Sequence, residues 1–314
     1  MRKLVNTKDM QRDEWLAWRR KGIGGSDAGA ILGLNPWFSA IACWQDKTGK
    51  RAQKDEPNEA MRLGSDLEDY VAKRWMEETG KKVRQNNFML QHDDHDWMIA
   101  DIDREVVGEN AILECKTASP FTKDRWADNN IPVTYTVQCL HYMAVTGAEK
   151  CYLACLIFGQ GVEFREIDRD EEAINALIRQ EKQFWEDYVV KDVMPPADGS
   201  KAAEEAIKEA YRYSDPDLDA VILDGSLDRY DEINTLIDDL MKEKREIEQS
   251  IKTEMKEAEI AEMDGRRITW KLGKGRKSVD SKALEKDHPD IYEKYLRIGD
   301  PIRTFRIGKK KEEK

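Results

Sequence analysis

Apolar and β-branched residues concentrate in two neighbouring stretches of the chain, residues 97–107 and 111–117. Such stretches are typical of β-strands when turn residues separate them. The segment Gly108-Glu109-Asn110 between them supplies that turn. The pattern therefore predicts an antiparallel β-hairpin.

Charged side chains are regularly spaced on this predicted hairpin. Because side chains alternate between the two faces of a strand, Glu114 and Lys116 point to one side, as do Asp101 and Asp103. Cys115 points to the opposite face and is expected to pack there, with its main-chain carbonyl still available to a metal. One face of the hairpin can therefore gather two carboxylates and an ammonium group.

The pattern predicts further elements on both sides of the hairpin. Apolar residues recur at helical spacing in the segment 64–79, and Ser26 with Asp27 is predicted to cap a short helix at 28–32. The other predicted elements are helices at 8–21, 39–49, 132–146 and 171–190 and strands at 83–90, 150–158 and 162–167. This order predicts an α/β (α+β) fold, in which helices flank a mixed central β-sheet.

The pattern changes after the stretch 195–200, which has the Pro and Gly content of a linker. A short helix at 202–212 precedes a long one at 227–261, whose apolar stripe among many Glu and Lys residues favours a helical hairpin or coiled coil. A small α/β appendage is predicted from strands at 266–272 and 302–307 around a helix at 281–295. The predicted divisions are a first domain at 1–194, a linker at 195–201, a domain for oligomerisation or partner docking at 202–308, and a disordered tail at 309–314.

The net charge of −11 over 314 residues argues at first against contact with nucleic acid. The acidic excess is confined to residues 201–264, so the rest of the chain can still line a cleft with Lys and Arg. No apolar run approaches the roughly 18 residues of a membrane span, and no signal-peptide pattern is present, so we expect a cytoplasmic protein without membrane contact. The 5 cysteines form no C-x-x-C pair and are expected to be reduced and buried.

The hairpin residues suit metal-dependent phosphodiester hydrolysis. Mg²⁺ prefers oxygen ligands, and Asp103 with Glu114 supplies a carboxylate pair. Lys116 can orient an attacking water or stabilise negative charge on the phosphate. The plain alternative is a salt bridge, because Glu-x-Lys is also common on strands.

Three further stretches accompany these residues along the chain, RRKGIGGSD at 19–27, LGSDLE at 63–68 and QCLHY at 138–142. Together with Asp103, Glu114 and Lys116 they resemble the YqaJ-type phage recombination nucleases, relatives of phage lambda exonuclease within the PD-(D/E)XK superfamily. The resemblance covers about residues 15–192 and implies a PD-(D/E)XK nuclease core for the first domain.

The segment RRKGIGGSD has the character of a phosphate-binding turn. Two Arg and a Lys lead into a Gly-rich turn at a helix start, where backbone N–H groups and the Ser26 hydroxyl favour an anion. The resemblance implies that Arg20 foremost, with Ser26 and the neighbouring Arg19, holds the terminal 5′-phosphate of a DNA strand. A tight turn with an N-cap is the alternative, and the two are compatible.

The resemblance also assigns roles outside the hairpin. It places Glu68 near the metals, where an ordinary Glu that complements the helix dipole is the alternative. It places Gln138 near the scissile phosphate, with Tyr142 on the same helix face. Met61 falls where relatives place an apolar wedge at the duplex end, and His141 is expected to be structural.

The implied cofactor is a pair of Mg²⁺ ions in each site, with Mn²⁺ as a substitute. Its expected ligands are Asp103, Glu114, Glu68 and the main-chain carbonyl of Cys115. The segment Ile102-Asp103-Arg104 stands where many relatives have Pro-Asp-Gly, which leaves open whether Asp101 also contributes.

The resemblance finally implies an activity and its partners. We expect a Mg²⁺-dependent 5′-to-3′ exonuclease of phage or prophage recombination, acting on double-stranded DNA ends in a bacterial host cell. The expected partners are a RecT-type annealing protein, which loads onto the 3′ single-stranded tails, and further copies of the chain in a ring, commonly a trimer. The alternatives are an endonuclease of restriction or structure-specific type and a non-catalytic assembly module.

Overall fold

The computed structural model describes residues 1–51 and 58–308, and the chain divides into two compact units, Met1–Tyr213 and Ser214–Lys314. The predicted tail at 309–314 lies outside the described residues. In the part of the chain that is described, no helix has the length and apolar character needed to cross a membrane.

Helices and strands alternate along the first unit. Two of its elements, an N-terminal strand and a 3-10 helix, were not predicted from the sequence. The elements in chain order are β1 (Arg2–Asn6), α1 (Arg12–Arg19), α2 (Gly25–Ile31), α3 (Ala40–Lys47), α4 (Glu59–Thr79), β2 (Val83–Gln85), β3 (Phe88–Gln91), β4 (Ile99–Ala100), β5 (Arg104–Val106), β6 (Ala111–Ala118), the 3-10 helix (Pro120–Asn129), α5 (Val133–Thr146), β7 (Lys150–Ile157), β8 (Gly161–Asp168), α6 (Glu171–Phe184) with a following π-helical turn (Trp185–Val189), and α7 (Lys201–Ala210).

A mixed β-sheet forms the centre of the first unit. Its strands in the described part of the chain lie in the order β2-β5-β6-β7-β8, and β6 and β7 run parallel while the other neighbours are antiparallel. The helix α5 lies between β6 and β7 in the sequence, as a parallel connection requires. The predicted mixed sheet and the predicted β5–β6 hairpin are both confirmed.

Helices cover both faces of this sheet. Ile112 of β6 packs in one cluster with Met143 of α5, while Leu113 of β6 packs in another with Trp75 of α4. Cys115 belongs to the second cluster, as predicted, and all five cysteines are buried free thiols. Because both of its faces are covered, β6 is a rigid support for the charged side chains in its middle.

The predicted strand at 97–107 is interrupted in the structure. β4 pairs with β3 in a small separate sheet of order β1-β3-β4, whereas β5 belongs to the central sheet. Asp101 and Asp103 lie where the chain passes from one sheet to the other, so the prediction that they share one strand face was wrong. The predicted strand at 83–90 is divided in the same way between β2 and β3.

The helix α7 packs within the first unit. Ala203 and Ala206 of α7 form a small apolar cluster with Ile41 and Ala42 of α3, and Gln45 Nε2 donates a hydrogen bond to the Ala206 carbonyl (2.9 Å). The sequence prediction had grouped this helix with the C-terminal part, but its alanine face is covered by α3. The structure therefore places the boundary after Tyr213.

The second unit contains one long helix, α8 (Asp228–Met255), and a hairpin of β9 (Ile260–Met263) and β10 (Arg266–Thr269). Two short helices follow, α9 (Ser281–Asp287) and α10 (Pro289–Tyr295), where one helix had been predicted. The residues 302–307 form no strand, contrary to the prediction. The predicted long helix ends earlier because its last residues pair with β10.

Candidate active site

A cavity of about 380 Å³ opens in the first unit where β4, β5 and β6 meet the α1–α2 turn, α4 and α5. Most of the residues singled out from the sequence lie in its wall, although they come from distant parts of the chain. Those lining residues are Arg19, Ser26, Glu68, Asp101, Asp103, Glu114, Lys116, Gln138 and Tyr142.

Asp103 lies beside the middle of β6. Its Oδ2 accepts a hydrogen bond from the Cys115 backbone N–H (2.7 Å). The N–H and C=O of one residue point to the same side of a strand, so the Cys115 carbonyl also faces Asp103. Burial raises the pKa of Asp103 well above its usual range because it disfavours the charged carboxylate, and the nearby Glu114 raises it further because two negative charges repel each other.

Glu114 is almost fully buried, with 2 % exposure. Its Oε1 accepts hydrogen bonds from the Lys116 ammonium group and from Gln138 Nε2 (2.7 Å). Its Oε2 is buried and has no hydrogen-bond partner among the described residues. Burial raises the pKa of Glu114 although Lys116 opposes that shift.

Lys116 carries the positive charge of this group. Burial favours its neutral form, but Glu114 and Asp103 raise its pKa well above the usual range, so it remains an ammonium. The shared hydrogen bond confirms that Glu114 and Lys116 lie on one face of β6.

These groups fit a hard divalent cation. The free Oε2 of Glu114, the Asp103 carboxylate and the Cys115 carbonyl are all oxygen donors, which Mg²⁺ prefers. Across the described residues no cluster of three or more acidic, His or Cys side chains is preassembled for a metal. Mg²⁺ commonly takes one or two protein carboxylates and completes its shell with water and a substrate phosphate.

Glu68 reaches the cavity from the middle of α4. The helix begins at Glu59, capped by Asn58, so Glu68 lies too far along it to complement the helix dipole. Arg104 donates hydrogen bonds to Glu68 Oε1 (2.5 Å) and Asp69 Oδ1 (2.5 Å) and is itself buried. Arg104 was not predicted as a site residue. The signal that could have found it is that Arg104 stands where many relatives have the Gly of Pro-Asp-Gly.

Arg19 rather than Arg20 faces the cavity. Arg19 Nη2 donates to Ser26 Oγ (2.6 Å), whereas Arg20 Nε lies 4.0 Å from Asp46 Oδ1 of α3. Successive residues of a helix point about 100° apart, which explains why only one of the pair reaches Ser26. The structure thus shifts the sequence-based preference from Arg20 to Arg19.

A buried ion pair supports this turn. Asp27 Oδ2 accepts from the Gly24 N–H (2.8 Å) and from Lys47 Nζ of α3 (2.6 Å). The Lys47 ammonium and the Arg19 guanidinium outweigh burial and lower the pKa of Asp27. Gly24 is the N-cap of α2 and Asp27 is the third residue of the helix, so the predicted cap at Ser26 and Asp27 lies inside the helix. Lys47 was not predicted.

The face of α5 that lines the cavity carries Gln138 and Tyr142, as predicted. Gln138 Nε2 donates to Tyr142 Oη (3.1 Å) as well as to Glu114. A Cβ on Gly25 would lie 2.6 Å from Tyr142 Cε1, so α2 approaches α5 closely only because this residue is glycine.

The other predicted residues lie around this centre. Asp101 Oδ2 accepts from Trp15 Nε1 (2.6 Å). His141 is structural, as predicted, with Nδ1 at 2.8 Å from Glu181 Oε1 and Nε2 at 2.8 Å from the Ile99 carbonyl. Met61 is half-exposed on α4 and is not among the residues of the cavity wall.

Fold and site together define an α/β protein with a buried acidic group beside a basic turn. A YqaJ-like viral recombinase domain model matches residues 14–149. The chain is also 41% identical over 296 residues to the uncharacterized protein YqaJ of Bacillus subtilis (strain 168), covering 93% of this chain and 92% of that protein. The chain belongs to the YqaJ-like viral recombinase family.

Solved structures of similar chains include two from other bacteria. An alkaline exonuclease (LHK-Exo) from Laribacter hongkongensis has a TM-score of 0.48 and 18% identity, over 64% of this chain and 98% of that one. A phage related exonuclease from Haemophilus somnus 129PT has a TM-score of 0.43 and 15% identity, over 57% of this chain and 99% of that one.

Proposed function

We propose that this protein is a Mg²⁺-dependent nuclease that degrades double-stranded DNA from its 5′ ends. The observation that carries the proposal is the presence of Arg19 with Ser26 in the same cavity as Asp103, Glu114 and Lys116. The carboxylates Asp103 and Glu114 suit metal-dependent hydrolysis of a phosphodiester. Arg19 with Ser26 suits the binding of a terminal phosphate next to the bond that is cleaved.

The residues around Asp103 and Glu114 have separate roles in this proposal. Asp103, Glu114 and the Cys115 carbonyl would hold one Mg²⁺, and Glu68 would assist a second. Bound Mg²⁺ supplies polarisation of the scissile phosphate and a more acidic water. Lys116 keeps its proton and stabilises negative charge that grows on the phosphate oxygens. Gln138 fixes Glu114 Oε1 and leaves the other oxygen for the cation.

The basic turn accounts for the proposed polarity. Arg19 offers guanidinium donors that match phosphate oxygens, and the Ser26 hydroxyl lies within hydrogen-bond distance of the same group. The ion pair between the buried residues Asp27 and Lys47 stabilises the turn that carries Ser26. A monoester phosphate at a 5′ end carries more negative charge than a phosphate within the strand, so Arg19 favours strand ends.

A digest of matched substrates tests the proposal. Linear duplex with a 5′-phosphate, the same duplex with a 5′-hydroxyl and a covalently closed circle are incubated with Mg²⁺, with label at either the 5′ or the 3′ terminal nucleotide. We expect early release of the 5′ label as mononucleotide, preference for the phosphorylated end and an intact circle. Cutting of the circle would favour the endonuclease alternative, and no release from any substrate would exclude a nuclease.

Partners are part of the same proposal. The family leads us to propose a ring of copies, commonly a trimer, that encloses duplex, and a RecT-type annealing protein that takes up the 3′ tails in the bacterial cytoplasm. Light scattering of the full chain measures the number of copies, and co-purification with the annealing protein measures the second contact. A single copy per particle would exclude the ring.

A further inference from the structure

The helix α8 presents an apolar row to solvent along most of its length. It has 28 residues and is therefore about 42 Å long. Its residues from Asp228 to Ser250 are all exposed, including large apolar ones such as Leu240 at 63% and Ile247 at 57%. A helix of this kind gains its stability in water from a partner that covers the apolar face.

The spacing of the row is that of a coiled coil. Its members alternate by three and four residues, which gives the 3.5-residue period of a straight seam between two supercoiled helices. One member, Lys244, is charged, and a polar residue at such a position fixes register and orientation at some cost in stability. The row consists of Tyr230, Ile233, Ile237, Leu240, Lys244, Ile247 and Ile251.

We propose that α8 pairs with α8 of a second copy of this chain as an antiparallel two-stranded coiled coil. Reversal of the helix places Ile233 beside Ile251 and Ile237 beside Ile247 of the second copy. Leu240 then lies beside Lys244, whose methylene groups can cover it while the ammonium reaches water. The row is therefore complementary to its own reverse, as a two-fold interface requires.

Charge selects the antiparallel orientation. The first half of α8 carries one basic residue, Arg229, among acidic residues, and the second half carries most of the basic ones. Parallel pairing would set acidic half against acidic half and place the two Lys244 ammonium groups together at the seam. Antiparallel pairing sets each acidic half against a half without net charge and places each Lys244 beside Leu240 instead. The acidic residues of the first half are Asp228, Asp231, Glu232, Asp238 and Asp239, and the second half balances the basic Lys242, Lys244, Arg245 and Lys252 with the acidic Glu243, Glu246, Glu248 and Glu254.

The first test is the mass of the full chain in solution. Ile237→Asp with Ile247→Asp places charges in the seam, and Thr235→Asp with Gln249→Asp adds the same charges on the opposite side of α8. Two-fold pairing makes the number of copies in a particle even, and it joins two rings where the copies also form rings of three. We expect the seam variant to halve the particle mass in light scattering and the control variant to keep it. An unchanged mass of the seam variant, or a fall to any other fraction, overturns the pairing. Circular dichroism and a cooperative unfolding transition show that the variant chain is folded.

The second test is the orientation. All five native cysteines are buried, so cysteines introduced on α8 react selectively. Chains with Ile237→Cys are mixed with chains carrying Ile247→Cys and oxidised. Antiparallel pairing predicts a disulfide between the two different chains, whereas parallel pairing would link Ile237→Cys to itself. Absence of any disulfide means that the α8 helices of two copies do not meet along this row, and this also overturns the proposal. The pairing does not depend on the proposed nuclease activity.

Discussion

At the scale of single residues, the ammonium group of Lys116 is the one positive charge that touches the buried carboxylate Glu114 from the same strand. Its proposed work is the stabilisation of a transition state. We expect Lys116→Ala to lower the cleavage rate by about 10²- to 10³-fold, while duplex binding in Ca²⁺ changes little. Lys123→Ala is the control, since Lys123 contacts Gln160 on the surface. Cleavage by Lys116→Ala at the wild-type rate would remove Lys116 from the proposed mechanism.

The two adjacent arginines at the end of α1 give a matched pair of variants. Arg19 contacts Ser26 in the cavity and Arg20 faces Asp46 outside it. We expect Arg19→Ala to lose roughly 10- to 100-fold of the preference for a 5′-phosphorylated end, the worth of a hydrogen bond to a charged group. Arg20→Ala should keep that preference. The ratio of rates on phosphorylated and unphosphorylated ends measures it, and the opposite result would restore Arg20 to the phosphate site.

The raised pKa values of Asp103 and Glu114 predict a pH dependence. A carboxyl group must lose its proton to bind a cation, so protons and Mg²⁺ compete for these oxygens. Because burial raises both pKa values, we expect activity to fall, as pH is lowered, at a pH above the usual carboxyl value of about 4. More Mg²⁺ should move that midpoint to lower pH. Rate profiles at two Mg²⁺ concentrations check this, and coincident profiles would contradict it.

At the scale of elements, some parts of the site could be predicted from local pattern and others could not. The β5–β6 hairpin was predictable because its turn and strand residues are adjacent in sequence. The break at Asp101 to Asp103 was not, because Ala100 and Ile102 continue the apolar pattern while the chain changes sheets. α4 begins at Glu59, earlier than the helical pattern predicted over 64–79. Asn58 is a favourable cap, but it stands at the end of a polar segment in which it has no distinguishing pattern.

The close approach of α2 and α5 gives a prediction at this scale. A Cβ at Gly25 would lie 2.6 Å from Tyr142, whereas one at Gly29 would lie 3.6 Å from Thr134, an ordinary contact. We expect Gly25→Ala to destabilise the fold by about 1–3 kcal/mol through overpacking and to lower cleavage, since Gln138 and Tyr142 must shift. Gly29→Ala, on the same helix, should be neutral or stabilising. Urea unfolding compares the stability of the two variants. Equal midpoints would contradict the prediction, because they would show that α5 can move away from the added Cβ without loss of stability.

At the scale of the whole molecule, the sequence indicated two parts but not their boundary. Pro195 and Gly199 mark a linker by composition, yet the chain returns to the first unit after them. The return depends on a few small contacts. Ala203, Ala206 and Ile207 pack in one cluster with residues of α3, and the Gln45 amide donates to the Ala206 carbonyl. Long-range contacts of this kind leave no local signal, because alanine suits any helix.

The boundary after Tyr213 predicts how shortened chains behave. A chain that ends at Tyr213 keeps α7, so we expect it to unfold cooperatively and to cleave DNA like the full chain. A chain that ends at Gly199 uncovers Ile41 and leaves the Gln45 amide without its carbonyl partner. That loss should cost about 2 kcal/mol or more in the free energy of unfolding. Denaturant curves of the two chains measure the difference, and equal stability would place the boundary back at the Pro-rich segment. The active-site residues are present in both chains, so a difference in cleavage at low temperature would instead show that α3, which carries Lys47, holds the phosphate-binding turn only when α7 covers it.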